Sequence, residues 1–254
     1  MRPRPIVTID GPAGCGKSTA AAALARTLGY LYLDTGAMYR ALALKSLSRG
    51  IAATDARQLG RLARRTDVAL RGDRRQILRV WLDGADVTRA IRTATVAARA
   101  SEIAAIPAVR RAMVAQQRRL GRRGRVVAEG RDTGTVVFPD AAWKFYLTAS
   151  PAARARRRWR DLQRVGQALP YAQVLRAVRA RDRRDTTRVS SPLRRARGAI
   201  LVDTTRRAAA HTLRTLLKFL RRHPVPGYPS AGRVGSLGTK TTVSQGRYQG
   251  RQPW

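Results

Sequence analysis

The amino-acid sequence predicts an α/β protein in which a parallel sheet of about five strands is flanked by helices on both faces. Segments of helical spacing that are rich in Ala, Leu and Arg, such as KSTAAAALARTLG and PAVRRAMVAQQRRLG, separate short apolar runs. Alternation of this kind is typical of a parallel sheet that is buried on both sides. The runs with strand-like composition are PIVTID (5–10), YLYLD (30–34), RVVAE (125–129), KFYLTA (144–149) and AILVDT (199–204).

The first apolar run leads directly into GPAGCGKS, and an Ala-rich helical segment follows. This motif fits G-x-x-x-x-G-K-[ST], the P-loop, whose backbone amides cradle nucleotide phosphates at a helix N-terminus. Lys17 is expected to reach the β- and γ-phosphates, and the Ser18 hydroxyl to ligate Mg²⁺. Cys15 is interpreted as a small filler residue and not as a redox switch, because the loop must accommodate phosphate. The residues predicted to bind ATP here are Gly11, Pro12, Ala13, Gly14, Cys15, Gly16, Lys17, Ser18 and Thr19.

The second apolar run ends in LDTGAMYRAL, residues 33–42. An Asp-Thr-Gly at the carboxyl end of a sheet strand faces the crevice in which α/β proteins bind ligands. We therefore expect Thr35 to contact a substrate and Arg40, in the first turns of the next helix, to clamp an acceptor phosphate. Asp34 and Asp10 each end a strand, where either could order the water shell of Mg²⁺ or cap the following helix. The sequence does not decide between these roles.

The interval from about residue 66 to 93 breaks the pattern of strands and helices. VALRGD and ILRVWLDGADVT alternate like strands, and they carry the turn signals Gly72-Asp73 and Asp83-Gly84. This interval is predicted to be a small β-rich insertion.

The third apolar run leads into EGRD, residues 129–132, although a core strand has no structural need for several adjacent charges. At the carboxyl edge of the sheet, Arg131 and Asp132 would leave the strand beside the P-loop. Arg131 suits a phosphate, and the acceptor-only carboxylate of Asp132 suits an exocyclic amine on a base. The alternative is that Arg131 and Asp132 simply pair with each other and cap the turn.

Two further regions have an unusual composition. Residues 154–190 contain too many arginines for a buried helix and are predicted to lie over a site or in water. Residues 224–254 are rich in Gly, Pro, Ser and Thr without apolar periodicity, and they are predicted to form a disordered extension.

The chain carries 52 Lys and Arg against 15 Asp and Glu, which gives a formal net charge of +37. Such a surplus indicates affinity for polyanions. We favour an arginine-rich solvated surface, because the charges form no single block with interleaved aromatic residues. Weak nonspecific binding to nucleic acid is still expected.

The number of cysteines and the length of the apolar runs indicate the cellular compartment of the protein. A single cysteine excludes an internal disulfide framework and leaves too few soft ligands for a structural zinc site. The N-terminal residues pass directly into a strand, and no apolar run of membrane-spanning length occurs. These features predict a cytoplasmic protein that does not insert into a membrane.

Five motifs together resemble the cytidylate kinase family of P-loop nucleoside monophosphate kinases over about residues 5–220. In this order they are GPAGCGKST, LDTGAMYR, SEIAAIPAVR, EGRDTGTVVFPDA and RDRRDTTR. The resemblance implies a monomeric, Mg²⁺-dependent enzyme that phosphorylates CMP and dCMP with ATP. It also implies one kinase domain over residues 1–223, a monophosphate-binding insertion at about 66–100 and a mobile lid at about 154–190.

The resemblance further implies roles for individual residues. Ser101, Arg110 and Asp132 would contact the cytosine, and Asp185 with Arg181 would contact the ribose. The acceptor phosphate would be held by Arg40, Arg131 and Arg188, and Arg157 and Arg158 would approach ATP from the lid. The residues implied to act in catalysis are Lys17, Arg131, Arg158 and Arg188.

Two other functions fit parts of the sequence. One is a P-loop kinase of another monophosphate or of a small hydroxyl acceptor, against which the base-contacting residues argue. The other is an RNA-binding protein that retains a P-loop, which the net charge of +37 favours and the ordered acceptor motifs disfavour.

Overall fold

A computed structural model describes residues 5–72, 78–164 and 166–224 of the chain. Within these ranges the strands are β1 (Ile6–Asp10), β2 (Leu31–Asp34), β3 (Val68–Gly72), β4 (Leu78–Leu82), β5 (Ala85–Asp86), β6 (Val126–Gly130), β7 (Trp143–Thr148) and β8 (Ile200–Asp203). The helices are α1 (Lys17–Leu28), α2 (Thr35–Ser48), α3 (Ala56–Arg64), α4 (Ala94–Ile103), α5 (Pro107–Leu120), α6 (Pro151–Arg164), α7 (Tyr171–Thr187) and α8 (Ala209–Arg222).

The main sheet has five strands in the order β2-β6-β1-β7-β8, and all of its strand pairs are parallel. The predicted parallel sheet is therefore confirmed, and each strand begins or ends within a residue or two of its predicted position. Because β1 lies between β6 and β7, the P-loop that follows β1 opens between the carboxyl ends of two neighbouring strands.

Successive residues of the strands enter two different cores. Ile6, Val126 and Ala128 pack on one face of the sheet with apolar residues of α2, α3, α4 and α5. Val7 and Val127 pack on the other face with residues of α1 and α8. Both sets of side chains are buried, which explains why the strands read as continuous apolar runs.

The interval 66–93 holds a separate antiparallel sheet in the order β3-β4-β5. Asp83 and Gly84 have φ angles of 48° and 88° and form the two-residue turn between β4 and β5, where Leu82 pairs with Ala85. The other predicted turn, Gly72-Asp73, runs into residues 73–77, which lie outside the described residues. The Lys45 ammonium pairs with Asp83 at 2.6 Å and joins this sheet to α2.

Helices α6 and α7 pack against each other and bury Ala155, Leu162 and Val174 between them. The predicted extension from residue 224 lies, apart from Pro224, outside the described residues. Over residues 5–72, 78–164 and 166–224, no helix combines the length and the apolarity needed to cross a bilayer.

Candidate active site

The P-loop has the backbone geometry that its glycines predict. Gly14 and Gly16 adopt positive φ angles of 77° and 88°. A Cβ atom on Gly11 would lie 2.0 Å from the carbonyl oxygen of Leu147, so no larger residue fits there. Gly16 caps α1 without a side-chain hydrogen bond, which leaves the first amides of this helix for an anion.

Lys17 lies inside this loop. Its side chain is buried, and its ammonium group donates a hydrogen bond to the Pro12 carbonyl at 2.8 Å. Burial lowers the pKa of Lys17, and the positive charges of Arg131 and Arg181 lower it further. A bound phosphate would offset both effects, because it restores a negative partner to the ammonium group.

Cys15 is a fully buried free thiol that packs in the core formed with α1 and α8. Its carbonyl accepts a hydrogen bond from the Thr204 hydroxyl at 2.8 Å. Both contacts agree with its interpretation as a filler residue.

The carboxylate nearest to Ser18 belongs to Glu129, at the end of β6. The hydroxyls of Ser18 and Tyr32 donate hydrogen bonds to the same carboxylate oxygen at 2.5 Å and 3.2 Å. Burial, together with the negative charge of Asp34, raises the pKa of Glu129. In the described part of the chain, Glu129 forms no ion pair, so its charge is buried with hydroxyl partners alone.

The two aspartates considered from the sequence are engaged elsewhere. Asp10 accepts hydrogen bonds from the Thr133 amide and hydroxyl, both at 2.8 Å, and from the Gly134 amide at 2.7 Å. Burial is the largest effect on Asp10 and raises its pKa to about 6. Asp34 caps α2 by accepting from the Ala37 amide at 2.8 Å, and it pairs with Arg40 at 3.0 Å. Both carboxylates therefore fix loops at the sheet edge.

Glu129 is part of the EGRD segment noted in the sequence, but no functional role was predicted for it. The available signal was its position, because it ends the strand that neighbours the P-loop strand at the same sheet edge. The choice between Glu129 and the two aspartates required the strand order.

The second part of the site is a pocket of paired charges. Arg110 forms a buried ion pair with Asp132, and Arg188 lies 3.9 Å from the other oxygen of that carboxylate. Arg131 pairs with Asp185 at 2.8 Å. The alternative in which Arg131 and Asp132 pair with each other is therefore wrong, since each has a distant partner in sequence.

Several polar atoms in this region are buried without a hydrogen-bond partner among the described residues. Buried polar groups normally have partners, so unpaired ones are positions at which a polar ligand or water can bind. These atoms include Tyr39 Oη, Ser101 Oγ, Arg110 Nε, Arg181 Nε and Arg188 Nη2.

The pocket also concentrates positive charge. Burial lowers the pKa of Arg181 to about 10, and the neighbouring Arg131 charge contributes in the same direction. Burial and the Arg110 charge lower the pKa of Arg188. Arg181 still carries its proton near neutral pH, so an anionic ligand would relieve this repulsion.

Thr35, predicted to contact a substrate, makes a hydrogen bond within the protein. Its hydroxyl is buried and donates to the Glu129 carbonyl at 2.7 Å, which ties the start of α2 to the end of β6. Its predicted contact with substrate stays a prediction.

The two predicted lid arginines are placed differently. Arg157 donates to the Gly14 carbonyl at 3.3 Å and to the Thr204 hydroxyl at 3.2 Å, so it lies on the P-loop. Arg158 is exposed, and the described residues offer it neither a hydrogen bond nor an ion pair.

Arg154, which sequence reasoning did not assign, is the most connected arginine of α6. It donates to both oxygens of Asp182 in α7, at 2.8 Å and 2.6 Å, and to the Ala13 carbonyl of the P-loop at 3.2 Å. Its spacing of three residues from Arg157 was the available signal, because residues i and i+3 share one face of a helix.

A P-loop beside a separate cluster of buried arginines provides two anion-binding regions, which is the arrangement of a P-loop phosphotransferase. The chain belongs to the cytidylate kinase family, whose model matches residues 7–222. ATP-dependent phosphorylation of CMP is the reaction of that family.

Individual relatives are similar over most of this chain. The cytidylate kinase of Desulfitobacterium hafniense (strain Y51) is 51% identical over 199 residues, covering 78% of this chain and 85% of the relative. A bifunctional pantoate ligase/cytidylate kinase of Synechococcus sp. (strain JA-2-3B'a(2-13)) is 50% identical over 203 residues. That match covers 79% of this chain but only 38% of the bifunctional protein. The solved gluconokinase of Sinorhizobium meliloti 1021 aligns with a TM-score of 0.45 at 19% identity over 87% of this chain and 94% of that one.

Proposed function

We propose that this protein transfers the γ-phosphoryl group of ATP to CMP and dCMP and releases CDP and dCDP. The observation that carries the proposal is the buried Arg110–Asp132 pair. Arg110 also donates to the Ala104 carbonyl at 3.0 Å, which joins the pair to the end of α4. In the last turn of that helix the Ser101 hydroxyl is buried without a hydrogen-bond partner among the described residues, as is Arg110 Nε. A carboxylate and a hydroxyl match the 4-amino donor of cytosine, and a guanidinium matches its N3 and O2 acceptors. Uracil would instead place a carbonyl oxygen against Asp132.

The proposed phosphate site is formed by three further arginines. Arg40, Arg131 and Arg188 hold the acceptor phosphate, and Arg181 and Asp185 bind the ribose. Three guanidinium groups are needed because two anionic phosphates must approach each other, and arginine stays charged while it forms bidentate contacts.

Phosphoryl transfer at this site requires positioning and charge stabilisation rather than a general base, since the attacking oxygen already belongs to an anionic phosphate. The P-loop amides and Lys17 bind the β- and γ-phosphates. Arg157, already on the P-loop backbone, approaches the nucleotide from α6. Arg158 would need α6 to move before it could join them.

The donor set at Ser18 fits Mg²⁺. This cation takes oxygen ligands and is commonly held by one or two carboxylates together with substrate phosphates. Ser18 and Glu129 supply a hydroxyl and a buried carboxylate without an ion-pair partner in the described chain. We assign Ser18 as the ligand and Glu129, in place of Asp10 or Asp34, as the acid that orders its waters. Bound Mg²⁺ would neutralise charge on the β- and γ-phosphates.

The proposal extends to the domain organisation, the oligomeric state and the location of the protein. We propose one kinase domain over residues 1–223 that acts as a monomer in the cytoplasm, with the β3-β4-β5 sheet closing on the monophosphate. The alternative of another acceptor is disfavoured by the unpaired base-site atoms, which suit a base that offers both a donor and acceptors.

The first test is ADP production from ATP and Mg²⁺ with CMP, dCMP, UMP or AMP as the acceptor, in wild type and in Asp132→Asn. Asparagine keeps the shape of aspartate but adds a donor that can face the O4 of uracil. We expect CMP and dCMP to be used by the wild type, and the preference for CMP over UMP in kcat/KM to fall by roughly 30-fold or more in the variant, or about 2 kcal/mol.

Asp140→Asn is the matched control, because Asp140 is exposed and outside the pocket. An unchanged CMP/UMP ratio in Asp132→Asn would refute the base-contacting role. Absence of turnover with every acceptor, in wild-type protein that binds ATP, would refute the kinase proposal itself.

A further inference from the structure

Helices α6 and α7 carry a large excess of arginine on their outer surface. The α6 sequence contains six arginines and one aspartate, and the α7 sequence contains five arginines and two aspartates. Asp182 and Asp185 are both paired inward, with Arg154 and Arg131. Because two of the three aspartates pair on the site side, only Asp161 offsets the positive charge of the outer side.

Among the residues that the structure describes, the exposed arginines of these helices form no ion pair, except for Arg164, which pairs with Asp161 at 3.3 Å. A positive surface of this extent attracts polyanions. Its other exposed members are Arg156, Arg158, Arg160, Arg176, Arg179, Arg183 and Arg184.

The fold places two aromatic rings among these exposed arginines. Trp159 in α6 and Tyr171 at the start of α7 form an edge-to-face pair with ring centroids 6.4 Å apart and planes at 87°. Together with Arg156 and Arg160 they line a cavity of about 290 Å³. The two aromatic residues are twelve positions apart in sequence, so their proximity was not evident as an interleaved motif.

The polar atoms of both rings are already occupied within the protein. The Trp159 indole N–H donates to the Leu169 carbonyl at 3.0 Å, and the Tyr171 hydroxyl donates to the Ala152 carbonyl at 3.2 Å. Both residues are only partly buried. What the cavity offers to a ligand is therefore ring surface and guanidinium charge, which is the combination that binds stacked bases and phosphates.

This surface is separate from the catalytic side of α6. Arg154 and Arg157 contact the P-loop, whereas Arg156 and Trp159 lie on the opposite side of the same helix by its 3.6-residue period. Arg160, three residues after Arg157, lies on the flank between these two sides. In the described residues, Arg156 and Arg160 make no hydrogen bond or ion pair. Both groups are thus available without disturbing the contacts to the nucleotide loop.

We propose that the surface formed by Arg156, Trp159, Arg160 and Tyr171 is a binding site for single-stranded nucleic acid. Phosphates bind to the two arginines, and a base stacks in the cavity against the aromatic pair. The neighbouring exposed arginines of α7 extend the contact along the strand. The bases of a duplex are paired and stacked inside it and cannot enter this cavity, so single strands are preferred.

The test measures binding of a short unstructured RNA oligonucleotide to the full chain at a series of KCl concentrations. The variant Arg156→Gln/Arg160→Gln removes two phosphate contacts. We expect the slope of log K against log salt concentration to become shallower by about 1.4, because each phosphate contact to a single strand contributes about 0.7. ADP production from ATP and CMP is expected to stay unchanged.

The matched control is Arg57→Gln/Arg61→Gln, which removes the same charge from two exposed positions one turn apart on α3. Trp159→Phe supplies a second readout: RNA is expected to quench the tryptophan fluorescence of the wild type and to leave that of this variant nearly unchanged while it still binds.

Three results would overturn the proposal. One is an equal loss of slope in the α3 control, which would mean that the charge acts without a defined site. Another is tighter binding of a duplex than of the single strand. The third is the absence of RNA binding by a protein that does bind vesicles of anionic lipid.

Discussion

Glu129 is a buried residue whose proposed role at the Mg²⁺ site depends on its negative charge. It lies beside Ser18 with hydroxyl partners alone, and burial raises its pKa. Glu129→Gln keeps the size and an acceptor oxygen but removes the negative charge. We expect the Mg²⁺ concentration that gives half-maximal activity to rise by about tenfold or more, the usual effect of losing a carboxylate that supports a metal site.

Glu102→Gln is the natural control for this substitution, since Glu102 is exposed and is the only other glutamate in the chain. KM for CMP, measured at saturating Mg²⁺, should stay close to the wild-type value in both variants. An Mg²⁺ dependence that Glu129→Gln leaves unaltered would return the assignment to Asp10 or Asp34.

Asp185 connects a single pKa to the stability of the fold. Burial alone would raise the pKa of this carboxyl, but the Arg131 charge and hydrogen bond outweigh burial and hold the pKa below 3.8. A carboxyl whose pKa is depressed by folding stabilises the protein above its unfolded pKa, and this contribution is lost as the pH falls towards the folded value.

We therefore expect the difference in unfolding free energy between wild type and Asp185→Asn to be largest near neutral pH and to shrink below about pH 4. Urea unfolding at a series of pH values measures this difference. A gap that stays constant down to about pH 3 would show that the Arg131–Asp185 pair contributes nothing through ionisation.

At the scale of elements, Arg154 joins three segments that must act together. Its guanidinium contacts Asp182 in α7, Ala13 in the P-loop and, at 2.9 Å, the Ala149 carbonyl at the end of β7. Because one planar group makes these contacts, the position of the P-loop depends on how α6 and α7 pack. We therefore expect Arg154 to influence ATP binding through this backbone, as a positioning residue.

Arg154→Lys keeps the charge but loses the two-pronged contact to Asp182. We expect KM for ATP to rise by about tenfold, equivalent to about 1.4 kcal/mol, with a smaller change in KM for CMP. Steady-state kinetics with each substrate varied separately checks this split. Arg156→Lys on the outer side of the same helix is the control, and an equal rise in both KM values would indicate a general loss of structure instead.

At the scale of the whole molecule, the sequence was sufficient for the main sheet and the P-loop. Strands buried on both faces are apolar at most positions, so their limits stand out from the arginine-rich helices around them. The Asp83-Gly84 turn was equally readable, because its backbone requires positive φ at both residues.

The ion-pair partners of the charged side chains could not be predicted from the sequence. Four arginines fall within residues 154–158, and the one that reaches Asp182 is set by the rotation of α6, which depends on packing against α7. Likewise, Asp132 has an arginine beside it in sequence but pairs with Arg110 of α5. Tertiary structure determines which arginine pairs with which aspartate, and the sequence alone does not reveal these pairs.

The strand order also determines when this molecule can fold. In the part of the chain that the structure describes, β1 and its follower β2 do not pair with each other, and β2 pairs with β6 alone. Ile6 and Leu31 therefore cannot form these strand pairs until Val126 has been synthesised. At typical rates of synthesis the ribosome needs roughly ten seconds to cover that distance. During this time two apolar strands have no sheet partner, and the growing chain is prone to aggregate until β6 is available. We therefore expect mutations that weaken β6 to lower the yield of folded protein even where they leave its catalytic rate unchanged.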